Sequence, residues 1–457
     1  MRALAGKAVD FVVDFISNLP DAPHVDLDGL EEALARVRSG VPETGAEFVG
    51  LLEQVGLGAR KAFNPAGPGY LAFIPGGGLF AAAIADFLSL SVNRFVNLWN
   101  AAPVFAAMEA DVIRWLCDIF GYPHEARGIL TSGGSMSNLS AIVAARTARL
   151  GEDFMNGCVY VTEQTHASVS KAAAIAGLPA RALRTVTVTP DLRMDLGNLE
   201  TMIKADREAG LNPFLIVASA GTTNTGAIDA LDATADIGER EGLWLHADAA
   251  YGGFFALTER GRARLTGIGR ADSITLDPHK TMFLPYGTGV LLVRDGERLR
   301  QAHRAKGDYL QDLAHEEEIP NFTDYSPELS RDFRGLRVWL PLKLHGLQAF
   351  RSALDEKLDL TEVLYGALKN EPGFELPWVP ELSVVPFRYI PKSGDADAVN
   401  QRLLERINAS KRIFLSSTRL NGDFWLRACI VSHRTHRDRI DEAIEIITRA
   451  ARAIDPA

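Results

Sequence analysis

Hydrophobic residues follow different periods along the chain and divide it into three stretches. In residues 1–79 the apolar positions recur at helical spacing, with Gly/Pro-rich connections between them. In residues 80–341 short β-branched runs alternate with helical segments. In residues 342–457 helices frame a second group of short apolar runs. We therefore predict a helical N-terminal arm, a large domain and a small C-terminal α+β domain.

The alternation in the large domain predicts a sheet. The expected strands contain the sequences CVYVT, RTVTVT, FLIVASA, LWLHADAA and SITLD, and helical stretches such as MDLGNLETMIKADREAG lie between them. Strands joined by helices form a mostly parallel sheet that helices cover, so we predict an α/β fold. The run GTGVLLVRD follows the last of these strands after a short turn. We expect it to be an antiparallel strand of the same sheet.

Composition limits the classes of function that remain open. Hydrophobic residues make up 47% and charged residues 23% of the 457 positions, which is typical of a globular protein. The net charge of −10 argues against nucleic acid or an anionic membrane surface as the main partner. The three cysteines are far apart and lack metal-ligand spacing, and no apolar run is long enough to cross a bilayer. We therefore expect a cytoplasmic protein without a metal site or a membrane segment.

Polar residues follow several predicted strands at their carboxyl ends, where parallel sheets bind ligands. After the strand GILT come two glycines and Ser135 at the start of a helix, an arrangement that can bind an anion but also suits an ordinary N-cap. Asp248 ends a second strand among small apolar residues, where a carboxylate needs a donor or a structural ion pair. His166 and Thr223 follow two further strands.

Lys280 is the most unusual of these residues, because it follows His279 between two segments that both look buried. A lysine amine removed from water is a competent nucleophile. Pyridoxal phosphate needs an anion site, a lysine that binds its aldehyde, a carboxylate at its pyridine nitrogen and a flat side chain over its ring. The strand ends carry all four, so we predict a pyridoxal phosphate site. The absence of Walker and dinucleotide-binding glycine spacings argues against a nucleotide-binding enzyme.

The same residues lie in motifs that resemble those of the group II pyridoxal-phosphate-dependent amino-acid decarboxylases. From about residue 65 onward the matching stretches are SGGSMSNLSAIVAAR, EQTHASVSKAA, AGTTNTGAID, LHADAAYGG, DPHK, RDFRGLRVWLPLKLHG and FWLRACIVSHRTHRD. The resemblance implies an aspartate-aminotransferase-type fold and a homodimer with active sites at the subunit interface. It also implies that the substrate is an L-amino acid, which loses carbon dioxide to give the amine.

The resemblance further implies roles for individual residues. Lys280 would bind the cofactor covalently, His166 would stack on its ring and Asp248 would bind the pyridine nitrogen. The other implied cofactor contacts are Gly134, Ser135, Thr223, Ala250 and His279. Asp277 stands where many members have an asparagine that contacts the phosphate, so we leave it out of the phosphate set.

Residues 307–330 have weak periodicity and are predicted to form a mobile lid. Tyr325 lies in this segment, within the sequence TDY. The family has a lid tyrosine in the same motif, which implies that Tyr325 donates a proton to the reacting carbon from the neighbouring subunit.

The identity of the substrate stays open at this point. By resemblance, the residues that shape the side-chain pocket make it apolar and aromatic, which favours an aromatic amino acid: Phe73, Pro75, Trp99 and Tyr286. Arg427, inside an otherwise apolar strand, is a candidate for binding the substrate carboxylate or for a structural salt bridge. The sequence SGGSMSN and Arg94 are also compatible with an acidic substrate. An aldehyde synthase, another lyase, an aminotransferase and a catalytically silent relative are the further alternatives.

Overall fold

The computed structural model describes residues 1–304 and 320–454. The helix Gly335–Asn370 is interrupted at Gly346, whose φ is 73°. The α-helices in this part of the chain are α1 (Arg2–Ser17), α2 (Leu30–Val37), α3 (Phe48–Arg60), α4 (Phe80–Val92), α5 (Pro103–Ile119), α6 (Gly134–Arg149), α7 (Ala167–Ile175), α8 (Leu196–Glu208), α9 (Leu231–Glu241), α10 (Glu259–Arg264), α11 (Pro278–Thr281), α12 (Gly296–His303), α13 (Gly335–Asn370), α14 (Ala396–Asn408) and α15 (Arg437–Ile454).

The chain forms two compact units. The first consists of Met1–Gly77, Glu362–Pro377 and Val385–Ala457, and the second consists of Gly78–Thr361 and Trp378–Val384. The division into an arm, a large domain and a small domain that the sequence predicts stays a prediction. Within residues 1–304 and 320–454, every helix is too short or too polar to cross a membrane.

The second unit is built on a seven-stranded sheet with the order β1-β7-β6-β5-β4-β2-β3. Strand β7 is antiparallel to both of its neighbours, and the other strand pairs are parallel. The predicted α/β fold and the predicted antiparallel strand are therefore confirmed. The strands are β1 (Arg127–Thr131), β2 (Gly157–Thr162), β3 (Leu183–Val186), β4 (Asn212–Ser219), β5 (Trp244–Asp248), β6 (Ser273–Leu276) and β7 (Gly289–Val293).

The centre of this sheet is buried on both faces, as the unbroken apolar runs of its strands predict. Every residue of β2, β5, β6 and β7 is buried. One core cluster combines apolar residues of β1, β2, β4, β5 and β7 with others from α6, α7 and α12. Burying each large aliphatic side chain stabilises the fold by about 1.5–3 kcal/mol, so the strand ends rest on a rigid base.

The first unit contains a four-stranded sheet with the order β10-β11-β9-β8. Its strand pairs β10–β11 and β8–β9 are antiparallel. Tyr70, from the N-terminal region, forms a bridge with Phe414 within the same unit. The strands are β8 (Phe374–Glu375), β9 (Val384–Tyr389), β10 (Ser416–Leu420) and β11 (Asp423–Cys429).

Candidate active site

A cavity of about 310 Å³ lies at the carboxyl ends of β1, β2, β4, β5 and β6, within the second unit. The sheet brings these ends to one edge, although they are far apart in the sequence. All eight residues that the sequence suggests as cofactor contacts line it: Gly134, Ser135, His166, Thr223, Asp248, Ala250, His279 and Lys280. Their individual roles stay predictions.

The N-terminus of α6 forms one wall of the cavity. Its N-cap, Gly133, has φ 150° and ψ 173°, a conformation that in practice only glycine adopts, and no side chain caps the helix. A Cβ on Gly134 would lie 3.0 Å from Asp277 Oδ2, so the backbone passes close to β6 here. The amide groups and the positive end of the helix dipole are therefore available to an anion in the cavity.

Asp248 is 8% exposed at the end of β5. Its Oδ2 accepts a hydrogen bond from Asn138 Nδ2 (3.0 Å), and its Oδ1 accepts one from the Ala250 N–H (3.2 Å). Two neutral donors thus compensate for the burial of this carboxylate. Asp248 also lines the cavity, so a further hydrogen-bond donor can reach its carboxylate from there.

Lys280 forms an ion pair across one turn of α11, because its Nζ lies 2.9 Å from Asp277 Oδ2. Asp277 is 2% exposed, and its Oδ1 has no hydrogen-bond partner within residues 1–304 and 320–454. Asp277 also lines the cavity, although the resemblance does not place it in the phosphate set. A buried carboxylate one turn before Lys280 therefore holds the lysine in the cavity.

His279 and His166 line the cavity and use their Nδ1 atoms in different hydrogen bonds. His279 Nδ1 donates to the Thr288 carbonyl (2.7 Å), and burial lowers the pKa of His279. His166 is the N-cap of α7, where its Nδ1 accepts from the Ser168 N–H (3.2 Å). The proton of a neutral His166 therefore lies on Nε2.

Several residues that line the cavity were not singled out from the sequence: Asn138, Gln164, Ser168, Ser219 and Tyr251. Asn138 could have been found, because it lies four positions after Gly134 and three after Ser135 on a predicted helix. That spacing places all three residues on one helical face. Gln164, Ser168 and Tyr251 lie in the motifs EQTHASVSKAA and LHADAAYGG, beside residues that were singled out, and Ser219 is the last residue of β4.

The predicted substrate residues are distributed over both units. Trp99 packs against a separate apolar cluster of the second unit and does not line the cavity. Tyr286 does not line it either, although its ring centroid lies 5.6 Å from that of His279. Phe73, Pro75 and Arg427 belong to the first unit. The substrate roles of all five residues stay predictions.

Arg427 is 3% exposed on β11. Its Nη1 donates to the Phe73 carbonyl (2.8 Å) and to Ser416 Oγ (3.0 Å). These contacts position the guanidinium relative to the predicted pocket residue Phe73.

Tyr325 lies apart from the cavity of its own chain. It packs against the core cluster of the large sheet, and burial raises its pKa. The charged groups nearest to it include Arg127, at the start of β1, and Arg300, on α12, so it lies near the end of β1 opposite the cavity. Residues 307–319 of the predicted lid lie outside the described residues.

Comparisons with known proteins find close similarity over nearly the whole chain. The family model "Pyridoxal-dependent decarboxylase conserved domain" matches residues 65–390. Aromatic-L-amino-acid decarboxylase of Bacillus atrophaeus is 37% identical over 448 residues, which are 95% of this chain and 92% of that protein. Tryptophan decarboxylase 1 of Oryza sativa subsp. japonica is 29% identical over 487 residues, covering 98% and 93% of the two chains. The crystal structure of Oryza sativa TDC with PLP and tryptamine matches with a TM-score of 0.93 at 27% identity, covering 99% and 98%.

Proposed function

Because the chain belongs to the pyridoxal-dependent decarboxylase family, we propose that it converts an L-amino acid with an aromatic side chain into its amine and carbon dioxide. The enzyme class and the cofactor, pyridoxal phosphate, agree with the predictions from the sequence. The names of the relatives, which include aromatic-L-amino-acid and tryptophan decarboxylases, support an aromatic side chain over an acidic one. The observation that carries the proposal is the meeting of Lys280, Asp248 and the N-terminus of α6 in one cavity.

The residues of the cavity fit pyridoxal phosphate. The N-terminus of α6 suits the phosphate, because it has backbone donors and no capping side chain. Asp248 suits a protonated pyridine nitrogen, because its two internal partners are donors and it accepts from both. Lys280 lies in the same cavity as the amine that can bind the aldehyde.

Each residue then has a defined task in the reaction. The bound cofactor has a ring that accepts the electron pair left when carbon dioxide departs. Lys280 would hold the bound cofactor, and Asp248 would keep a proton at its pyridine nitrogen. The His166 ring would pack against the bound cofactor and would keep water from that side of it. Tyr325 donates the proton that the reacting carbon needs, and Arg427 orients the substrate carboxylate.

A homodimer is part of the proposal. Helices α1 and α4 each present large apolar side chains to solvent, including Val9 (51% exposed) and Leu90 (61% exposed). Such faces are typical of surfaces that a second subunit covers. A partner subunit would also explain why Tyr325 lies away from its own cavity. We place the enzyme in the cytoplasm, since its three cysteines are buried and form no disulfide with one another.

A panel of L-amino acids, assayed for released carbon dioxide, tests the substrate class. We expect turnover of tryptophan, tyrosine or phenylalanine and little turnover of glutamate. A preference for glutamate would contradict the aromatic assignment.

Lys280→Ala tests the catalytic assignment. We expect this variant to fold, because the lysine lies at the cavity, and to lose all turnover. Borohydride reduction of the unchanged enzyme, followed by mass spectrometry, should find the cofactor on the peptide that contains Lys280. Finding it on a different lysine would reject the site.

A further inference from the structure

Asp248 is the last member of a chain of five buried side chains. Trp244 Nε1 donates to Ser273 Oγ (2.8 Å), which lies 2.8 Å from His246 Nδ1. His246 Nε2 lies 3.0 Å from Asn138 Oδ1, and Asn138 Nδ2 donates to Asp248 Oδ2 (3.0 Å). The exposed fraction of these residues is between 0% and 8%. Water therefore does not replace any of these partners, and each group depends on its neighbour in the chain.

The two ends of this chain determine the direction of every hydrogen bond in it. The indole N–H of Trp244 can only donate, so Ser273 Oγ accepts there and its own proton stays available for His246 Nδ1. At the other end, Asp248 accepts, so Asn138 turns its NH₂ group towards Asp248 and its oxygen towards His246. That oxygen needs the Nε2–H of His246. Burial lowers the pKa of His246 to about 4, which leaves one ring proton, and Nε2 carries it.

A branch of the same chain reaches His166. Asn138 Nδ2 also donates to Ser168 Oγ (3.0 Å), which lies 2.7 Å from His166 Nδ1. Since His166 Nδ1 already accepts from the Ser168 N–H, it accepts from the Ser168 hydroxyl as well. The orientation of the Asn138 amide therefore acts on both residues that would contact the cofactor ring.

We propose that His246 and Asn138 are positioning residues that hold Asp248 as an acceptor for the pyridine nitrogen. In the same orientation, the branch keeps the proton of His166 on Nε2. If the Asn138 amide were reversed, its oxygen would face the carboxylate of Asp248, and two acceptors would meet without a proton between them. This inference rests on the proposed function, because it assumes that pyridoxal phosphate occupies the cavity.

Two substitutions of His246 separate hydrogen-bond direction from mere packing. His246→Phe keeps a ring but removes both links of the chain, and it also removes the longer contact of His246 Nε2 with Thr275 Oγ1 (3.4 Å). His246→Gln restores them in the same direction, because its amide N–H can donate to Asn138 and its oxygen can accept from Ser273. Tyr160→Phe is the matched control, since it removes a buried hydrogen bond of the same sheet, from Tyr160 to Asp206 (2.9 Å), outside this chain.

The readouts are the ¹⁵N chemical shift of ¹⁵N-labelled pyridoxal phosphate bound to each protein and its dissociation constant from absorbance titration. For His246→Phe we expect the resonance to move towards that of an unprotonated pyridine and the dissociation constant to rise about tenfold, the equivalent of one buried hydrogen bond. His246→Gln should restore both values. Tyr160→Phe should change neither, because it leaves the Asp248 contacts intact.

Trp244→Phe provides a second test in case His246→Phe does not fold. It removes only the donor at the far end of the chain, so the resonance should move in the same direction by a smaller amount. Unchanged resonances in both variants, or a glutamine variant that behaves like the phenylalanine variant, would overturn the inference. If the unchanged protein does not bind pyridoxal phosphate at all, the proposed function itself fails.

Discussion

Asp248→Asn should lower both the stability and the activity of the enzyme, and the structure gives the size of the first effect. In the unchanged protein both carboxylate oxygens accept from donors, Asn138 Nδ2 and the Ala250 N–H. An asparagine has only one oxygen, so in either orientation its NH₂ group meets one of these donors. One buried donor then loses its partner, which costs about 1–3 kcal/mol of unfolding free energy.

The effect of the same substitution on catalysis should be larger. A neutral amide does not hold a proton at the pyridine nitrogen as a carboxylate does, so the ring accepts electrons less readily. Removing one preorganised group of this kind typically lowers kcat by about 10²–10³-fold. We expect at least that loss for Asp248→Asn, while the covalent attachment of the cofactor at Lys280 remains.

Asp229→Asn is a matched control for this experiment. Asp229 is 5% exposed, and its two oxygens accept from the N–H groups of Met194 and Ser219 at 2.7 Å each. It does not line the cavity. Asp229→Asn also places an NH₂ group against one of two backbone N–H donors. The free energy of unfolding should therefore fall by a similar amount, while kcat stays close to that of the unchanged enzyme.

The assay combines urea unfolding of the cofactor-free proteins with measurements of kcat on the loaded enzymes. A pH of about 8 is suitable, because burial raises the pKa of Asp229 to about 6 and both aspartates must start as carboxylates. Near-normal turnover of Asp248→Asn would refute the role at the pyridine nitrogen. Equal losses of turnover in the two variants would show that destabilisation alone explains the effect.

Tyr325→Phe should retain cofactor binding but lose amine production and form aldehyde, ammonia and peroxide in air. An equal amine yield, measured by chromatography, would assign the proton to another acid. Arg427→Lys should raise KM, because an ammonium cannot replace the paired N–H groups of a guanidinium. Unchanged steady-state kinetics would remove it from the substrate site. Burial lowers the pKa of His24, His246 and His303 to about 4 in the folded protein. As the pH falls below about 6.5, the unfolded chain therefore binds a proton at each of these histidines before the folded chain does. Each histidine should then lower the unfolding free energy by up to about 1.4 kcal/mol per pH unit. If urea unfolding shows the same pH dependence after one of these histidines is replaced, the prediction for that histidine is wrong.

The sequence alone determined the strands of the large sheet and eight of the residues that line the cavity. Alternating β-branched and helical runs are local properties, so CVYVT, FLIVASA and LWLHADAA could be recognised without knowledge of their neighbours. Once the sheet is taken as parallel, all carboxyl ends meet at one edge. This rule is enough to bring residues as distant as Ser135, His166, Asp248 and Lys280 into one site.

Only the tertiary structure decided which side chains hold these residues in place. Strand β1 lies beside β7 rather than beside β2, and the sheet order places α6 where Asn138 reaches Asp248, 110 positions further along the chain. No local pattern encodes such a contact, because it depends on which strands are neighbours and on whether the side chains are long enough to span the distance between α6 and β5. The direction of the hydrogen bonds from Trp244 to Asp248 is decided in the same way. It follows from Trp244, which can only donate, and Asp248, which accepts. The side chains between them come into contact only when the sheet is folded.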